Sequence, residues 1–591
     1  MNILKRITLL RGLMRESNID AYIINGSDPH LSEYVPEKWR TREWISGFTG
    51  SYGRVVVTLE KSALWTDSRY FLQSETELKG SGIVMMKDRQ ADSIPYEQWI
   101  LDELPNNGVV GIEGLTISAS EEKRLTHKLN AKGLCLKQDI DLLSKIWGNR
   151  PASAKHSAFD YPIEFAGISR LEKIDLIRQR LFEKGAEGTI ISMLDDLCWT
   201  FNIRGKDIDY NPLVTGYGFI DRQRAILFID SFKIPDNLRT LLKGEKIELM
   251  DYESIIPFLQ KLALKTLFID PDRTNSLVYQ SIPKTCQLIE GLSIPTLLKS
   301  VKNECEIAGT KEAHRRDGAA MINFLFWIKN NAGKEKISEL TVCNKLWEFR
   351  SKQRYFAGES FHPIVGYEEH GAIVHYHVTE ETDLTIDAKG ILLIDSGGQY
   401  LDGTTDITRT IALGEVSEQQ KNDFTLVLKG MIQLAKVIFP VNTKGNSLDI
   451  MARKALWDNC LNYGHGTGHG VGHFLCVHEG PVSIRQDSNQ EPIQEGNILS
   501  NEPGIYRAGE YGIRTENLIL CRKEKQTKFG NFLAFNTITL CPIDISLIDA
   551  YLLSKEELTW LNDYHSRIVE EIGPYLEPIV LEWLKIQCSP I

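Results

Sequence analysis

The sequence contains no run of about eighteen uncharged apolar residues, so no membrane span is expected. Charges at Lys5, Arg6, Arg11 and Arg15 interrupt any apolar stretch a signal peptide would need. Cysteine is scarce: ten in 591 residues, scattered from Cys135 to Cys588, with no CxxC pair. That spacing excludes a zinc ribbon and a thioredoxin-like motif, and the number is too small for a disulfide scaffold. The cysteines read as reduced and mostly buried, which fits a cytoplasmic protein. An excess of positive charge is also missing. The net charge is −11, which gives no global reason to hold nucleic acid or anionic lipid. With 42% hydrophobic and 25% charged residues, the chain is neither disordered nor fibrous. Its length suits about four domains, or two or three large ones.

Residues 5–17 place Ile7, Leu10, Leu13 and Met14 at helical spacing, and Ala21 to Ile24 reads as a short buried strand. Arg54 to Thr58 and Ala63 to Thr66 read as two more strands, so the chain opens as an α/β unit. A weak echo follows about 165 residues later. An amphipathic helix with Leu176, Leu181 and Phe182 precedes Thr189–Ile191, and Ile226 to Asp230 parallels Leu64 to Asp67. Tandem duplication and chance resemblance explain this echo about equally well. Residues 148–167, with Pro151, Pro162 and no clear period, read as a linker. A second boundary falls near 293–302. A long amphipathic helix is expected from about Glu304, with Arg315, Arg316 and Asp317 on its polar faces.

Histidine is concentrated in the last part. Eight of the 13 histidines (362, 370, 375, 377, 465, 469, 473, 478) lie between residues 362 and 478, about a fifth of the chain. Such gathering suggests metal binding or acid–base work. Ile391–Ile394 is a strand run ending in Asp395, and Asp406 sits among the β-formers of DITRTI. A hairpin here would set the two carboxylates side by side, where they repel unless a proton or a metal lies between them. Asp402, in a DG step, reads as a turn residue. In YGHGTGHGVGH (463–473), His465, His469 and His473 are spaced i, i+4, i+8, but five interleaved glycines each cost about 1 kcal/mol in a helix. The segment is therefore extended backbone, where glycine allows close approach and His465, Thr467 and His469 share one side. It lacks a GxGxxG register, so no dinucleotide fingerprint is supported. Glu502 precedes the Pro503-Gly504 turn, and Glu516 lies in a β-like segment beside Arg514, where a carboxylate either pairs with a cation or faces water, the commoner case for each glutamate taken singly. Asp395, Asp406, His469, Glu502 and Glu516 together form a hard, oxygen-rich set, suited to two Mn²⁺-like ions.

In this order and spacing the five residues resemble the pita-bread metallopeptidase family, which includes aminopeptidase P, prolidase and methionine aminopeptidase. Within that family the chain most resembles the three-domain cytosolic aminopeptidases P. The resemblance rests on GAIVHY (371–376), GTTDITRT (403–410), GHGTGHGVG (464–472), HEGP (478–481), NEPGIY (501–506) and GIRTEN (512–517). It extends to WISGFTGSYG (44–53), WTDSRYFLQ (65–73) and WLNDYH (560–565), so it spans nearly the whole chain. His473 stands where the resemblance leads one to expect a small residue.

The resemblance implies an α/β and α+β multidomain protein: creatinase-like α/β domains at 1–155 and 156–298, then a pita-bread catalytic domain with a C-terminal extension at 299–591. It implies hydrolysis of the N-terminal Xaa-Pro bond by a hydroxide bridging two divalent ions, with Mn²⁺ preferred. Asp395 would bind one ion, His469 and Glu502 the other, with Asp406 and Glu516 bridging. Glu502 would also move the proton. His375, His465 and His478 would orient substrate or stabilise the oxyanion. Arg514 would pair with a ligand carboxylate and Tyr506 would line the site. A homodimer in the cytoplasm is implied as well, with peptide substrates and neither nucleic acid nor membrane as partner. The alternatives are a prolidase, limited to dipeptides, and a non-catalytic binding module, which the intact ligand set disfavours.

Overall fold

A computed structural model describes residues 1–90, 92–487 and 491–591. The chain forms two compact units, one of Met1–Pro162 with Ile168–Leu297, the other of Ile163–Gly167 with Leu298–Ile591.

The first unit holds two six-stranded sheets. One is built from β1 (Ala21–Asn25), β2 (Arg54–Thr58), β3 (Ser62–Thr66), β4 (Val84–Lys87), β5 (Val109–Ile112) and β6 (Cys135–Lys137), in the order β4-β3-β2-β1-β5-β6. The other uses β7 (Gly188–Ile191), β8 (Tyr217–Asp221), β9 (Ala225–Phe228), β10 (Ile247–Met250), β11 (Thr266–Ile269) and β12 (Gln287–Glu290), in the order β10-β9-β8-β7-β11-β12. The polarities also agree. Each sheet has a central antiparallel meander flanked by parallel pairs. The sequence echo falls on equivalent strands, β1 with β7 and β3 with β9, so it marks a structural repeat. All residues of β1 and β7 are buried, which accounts for the apolar stretches Ala21–Ile24 and Ile190–Ile191 within them. Before β1 runs helix α1 (Ile3–Glu16), capped by the Asn2 side chain and burying Ile7, Leu10 and Met14. Before β7 runs α2 (Arg170–Glu183), started by a Ser169–Glu172 capping box and burying Ile174, Ile177 and Leu181.

The stretch 148–167 is more than a linker. Phe159–Asp160 pairs with Ile203–Arg204, and Ile163–Ala166 forms a helical turn that belongs to the second unit. Asn303 Nδ2 donates to the Ala166 carbonyl, and Gly167 beside it has φ +70°. A Cβ there would lie 2.4 Å from Asn303 Oδ1. Cys305 Sγ and His473 Nε2 also bond the Glu164 and Phe165 carbonyls, and an anchor made of main-chain carbonyls and one glycine leaves no periodic signal in the sequence.

The second unit begins with α3 (Glu304–Asn331), capped by an Asn303–Glu306 box, and α4 (Glu339–Ser351). Asp317 does not lie on a polar face of α3. It is 4% exposed, accepts from Arg350 Nε at 2.7 Å and from Tyr400 OH at 2.8 Å, and so forms a buried ion pair. Asp402 does sit in a turn, but buried and paired with Arg316 at 2.5 Å. A three-stranded antiparallel sheet follows: β13 (Ile364–Tyr367), β14 (Ile391–Ser396) and β15 (Ile407–Ala412), with β14 in the middle. After α5 (Glu418–Lys436) comes the edge strand β16 (Ile438–Pro440), then α6 (Gly445–Trp457). The largest sheet joins β16 to β17 (Gly468–Gly470), β18 (Glu479–Ile484), β19 (Ile498–Asn501), and, beyond the hairpin β20 (Gly504–Arg507) and β21 (Tyr511–Arg514), to β22 (Asn517–Thr527) and β23 (Gly530–Thr537). Its order is β16-β23-β22-β19-β17-β18, all antiparallel. Apolar residues of α5, α6 and α7 (Lys555–Ile572), among them Phe424, Met431, Leu456, Leu561 and Ile568, form a core with Ile391 and Ile513. This is the α/β and α+β architecture implied by the sequence.

The ten cysteines are all free, but only five of them are buried, and Cys135 and Cys460 are exposed. Among the described residues, no helix is long and apolar enough to cross a membrane.

Candidate metal centre

Asp395 and His469 lie within strands, and Asp406, Glu502 and Glu516 each lie one residue outside a strand end. Antiparallel pairing of β14 with β15 sets Asp395 opposite Thr408, with Asp406 just before β15. The Glu516 amide donates to the Thr408 carbonyl at 3.1 Å, and Thr408 Oγ1 donates to Glu516 Oε2 at 2.8 Å. Strand β17 carries His469. It fits between its neighbours because Gly468 and Gly470 lack side chains, since a Cβ would lie 2.0 Å from the Ser500 carbonyl oxygen at one and 2.2 Å from that of Glu479 at the other. The His469 amide donates to Ser500 Oγ at 2.9 Å, and Ser500 Oγ donates to Glu502 Oε1 at 3.1 Å.

These contacts converge on one point. His469 Nε2 lies 3.5 Å from both Asp406 Oδ2 and Glu502 Oε1. Asp406, His469 and Glu516 each present one donor atom within 4.8 Å of the others. Asp395 joins through Arg514, whose Nη2 donates to Asp395 Oδ2 at 2.5 Å and whose Nε also reaches Thr408 Oγ1 at 3.3 Å. His469 Nδ1 faces the Gly470 carbonyl at 2.9 Å; in the neutral ring Nδ1 donates there, leaving the Nε2 lone pair toward the carboxylates.

Four carboxylates face one imidazole and one guanidinium, and this charge is poorly balanced. Burial raises Glu516 well above the usual carboxylate range, and Asp406, Glu502 and Asp395 raise it further. Burial lifts Glu502 to about 7 against the pull of His469 and Arg514. Asp395 is raised by burial although Arg514 opposes it. Burial works against the charge of His469, yet Asp406 and Glu502 hold its pKa at about 9. Asp395 Oδ1 and Glu516 Oε1 are buried with no hydrogen-bond partner, a costly state that bound cations would relieve. Hard oxygen donors with one imidazole fit divalent ions of the Mn²⁺ kind.

The other candidates surround this cluster. His465 Nε2 lies 2.8 Å from Tyr506 OH, which accepts from Arg514 Nη1 at 2.6 Å, so His465, Tyr506, Arg514 and Asp395 form a chain. The rings of His478 and His469 meet edge to face at 4.3 Å. His375 is half-buried and follows Val374, whose carbonyl accepts from Arg514 Nη2 at 3.4 Å. His473 is buried in a structural role, its Nδ1 at 3.1 Å from Thr310 Oγ1 and its Nε2 at 3.1 Å from the Phe165 carbonyl. Sequence reasoning missed Thr408 and Ser500. Each lies two residues from a candidate ligand, Asp406 or Glu502, and its hydroxyl donates to a carboxylate of the cluster.

Residues 308–523 match the model of metallopeptidase family M24, and 531–591 that of its C-terminal region. Residues 6–141 and 149–306 each match a creatinase/prolidase N-terminal domain. A probable Xaa-Pro aminopeptidase P of Botryotinia fuckeliana is 37% identical, covering 100% of this chain and 93% of that protein. One from Laccaria bicolor is likewise 37% identical, covering 100% and 94%. The crystal structure of X-prolyl aminopeptidase from Caenorhabditis elegans, described as a cytosolic enzyme with a di-nuclear active site, superposes with a TM-score of 0.96 at 32% identity over the whole of both chains. An Xaa-Pro dipeptidase from Bacillus anthracis (TM-score 0.51, 24% identity) covers 64% of this chain and 99% of its own, and shows the fold alone. Two creatinase-type domains, an M24 domain and full-length identity of this order lead to one conclusion: the chain belongs to the Xaa-Pro aminopeptidase P family of M24 metallopeptidases.

Proposed function

We propose that this chain is a metallo-aminopeptidase that releases the first residue of peptides whose second residue is proline. The observation that carries this reading is the converging set of Asp406, His469 and Glu516, with unpartnered oxygens on Asp395 and Glu516, in a chain of this family. Asp395, Asp406, His469, Glu502 and Glu516 would hold two divalent ions, Mn²⁺ by preference. When bound, the ions supply Lewis acidity and a source of hydroxide at neutral pH.

The side chains do the rest. Glu502 takes up the proton of the attacking water and delivers it to the leaving proline nitrogen. That nitrogen belongs to a tertiary amide without N–H, so the site recognises the ring by shape. His375, His465 and His478 orient the scissile carbonyl and stabilise the developing oxyanion. Arg514 holds Asp395 in place, and Tyr506 OH, which accepts from Arg514, steadies the His465 ring through its contact with Nε2. The reading includes three domains (1–155, 156–298, 299–591), a homodimer and a cytoplasmic location.

The test compares Xaa-Pro-Xaa tripeptides with Xaa-Pro dipeptides, using chelator-stripped protein with and without Mn²⁺. Release of the first residue from the tripeptide, restored by Mn²⁺ and lost in Asp406→Asn, supports the proposal. Cleavage of the dipeptide alone indicates a prolidase, and no metal-dependent cleavage by folded protein refutes the enzymatic reading.

A further inference from the structure

The glycine-rich segment 464–472 carries His465 in a loop and His469 in strand β17. Residues 464–472 include five glycines, each with backbone freedom that folding must remove. Helix α6 lies against this loop and is firmly seated. A Cβ on Gly430 of α5 would lie 2.1 Å from the Ala452 carbonyl oxygen of α6, and one on Gly445, its first residue, 1.8 Å from that of Ser483.

One turn of α6 sends two side chains into the loop. Asp449 and Arg453 are 2% and 1% exposed and pair at 2.6 Å. Arg453 Nη1 donates to the Tyr463 carbonyl and Nη2 to the His465 carbonyl, both at 2.8 Å, while its guanidinium covers the Tyr463 ring at 3.8 Å. Asp449 Oδ1 accepts from Thr467 Oγ1 at 2.5 Å, and that hydroxyl also bonds Tyr463 OH at 2.5 Å. The Thr467 carbonyl in turn accepts the Glu502 amide at 2.8 Å. The pair therefore grips both sides of His465 and, through Thr467, the backbone of Glu502.

We propose that Asp449 and Arg453 are positioning residues that hold the glycine-rich loop in the one conformation where His465 can serve the reaction. The inference rests on the proposed role of His465. Arg453 acts through the loop and does not touch the substrate. A guanidinium can donate to two carbonyls and a carboxylate together, and an ammonium cannot do so with the same geometry.

The test uses full-length, metal-loaded protein. In Arg453→Lys, hydrogen exchange of the amides in 463–469 is expected to speed up about tenfold or more, while β22 and β23 are unchanged. kcat on an Xaa-Pro-Xaa tripeptide is expected to fall about tenfold with KM little altered, and the same substitution is expected to have no further effect in a His465→Ala background. Unchanged exchange in 463–469 overturns the proposal, as does faster exchange across the whole second unit, or a kcat loss that adds in full to that of His465→Ala. Should Arg453→Lys fail to fold, Thr467→Val, which removes only the hydroxyl link, decides by the same exchange criterion. If His465→Ala retains full kcat, the role proposed for His465 fails, and exchange alone then decides whether the pair restrains the loop.

Discussion

Removing the divalent ions should make stability fall as pH rises, and His469 contributes a share of the effect that adds to those of the raised carboxyls of Glu516, Asp395 and Glu502. The folded, metal-free protein holds the His469 proton to about pH 9, where an unfolded chain releases it near 6.5. The stabilisation is therefore complete below pH 6.5 and is lost as pH rises through 9. At 1.36 kcal/mol per pH unit, the displacement is worth about 3 kcal/mol, nearly all of it between pH 6.5 and 9. Glu502, raised to about 7, acts in the same direction at the lower edge of that window. At about 2 °C per kcal/mol for a unit of this size, the His469 share should lower the melting temperature of chelator-treated protein by about 6 °C between pH 6.5 and 9. Metal-loaded protein should show no such drop, because a ligating His469 is already neutral. The same proton competes with the ion, so the affinity for Mn²⁺, measured against a chelator, should rise about tenfold per pH unit over this range. Differential scanning calorimetry of the wild type and His469→Gln, with and without Mn²⁺, isolates the effect. A metal-free melting temperature that stays flat with pH, or one that falls equally in His469→Gln, would refute the reasoning.

Gly512→Ala should lower kcat/KM on a tripeptide about 100-fold, because its Cβ would lie 1.6 Å from the Gly371 carbonyl oxygen and would push β21, with Arg514, away from the turn leading to His375. Asp317→Ala should cost about 3–5 kcal/mol in urea unfolding, since it leaves the Arg350 guanidinium buried without its carboxylate. His565 accepts the Ile543 amide at Nε2 and, through burial and the nearby Arg409 charge, has its pKa pushed down to about 4. Its contribution is present above pH 6.5 and lost as pH falls through 4, so stability should drop by about 3 kcal/mol across that window. His565→Gln, compared by urea midpoint at each pH, should lose correspondingly less.

The candidate ligands could be picked out of the sequence because each sits in a short motif whose neighbours serve it, such as the glycines around His469 or the proline after Glu502. The repeated sheets were legible only as an echo, because buried strand positions accept almost any apolar residue. What could not be read was where distant partners meet. Asp317 finds Arg350 33 residues away, Asp402 finds Arg316 86 away, and His473 finds Thr310 163 away and Phe165 308 away. In each case a polar residue that looks solvated in its local sequence is buried by a partner that the local sequence does not contain.

Four arginines carry this furthest. Arg350, Arg409, Arg453 and Arg514 are each at most 2% exposed, although arginine in a strand or helix ordinarily reads as surface. Each donates to a backbone carbonyl at or beside a candidate site residue: Arg350 to Ser396, next to Asp395; Arg409 to Thr408 and Glu516; Arg453 to His465; and Arg514 to Val374, next to His375. A carboxylate cluster of this density repels itself, and its strands would separate if held by side-chain contacts alone. Guanidinium groups fixed to the main chain oppose that separation without occupying the inward-facing oxygens of Asp395 and Glu516. The arrangement keeps the strands together and leaves those oxygens available to cations.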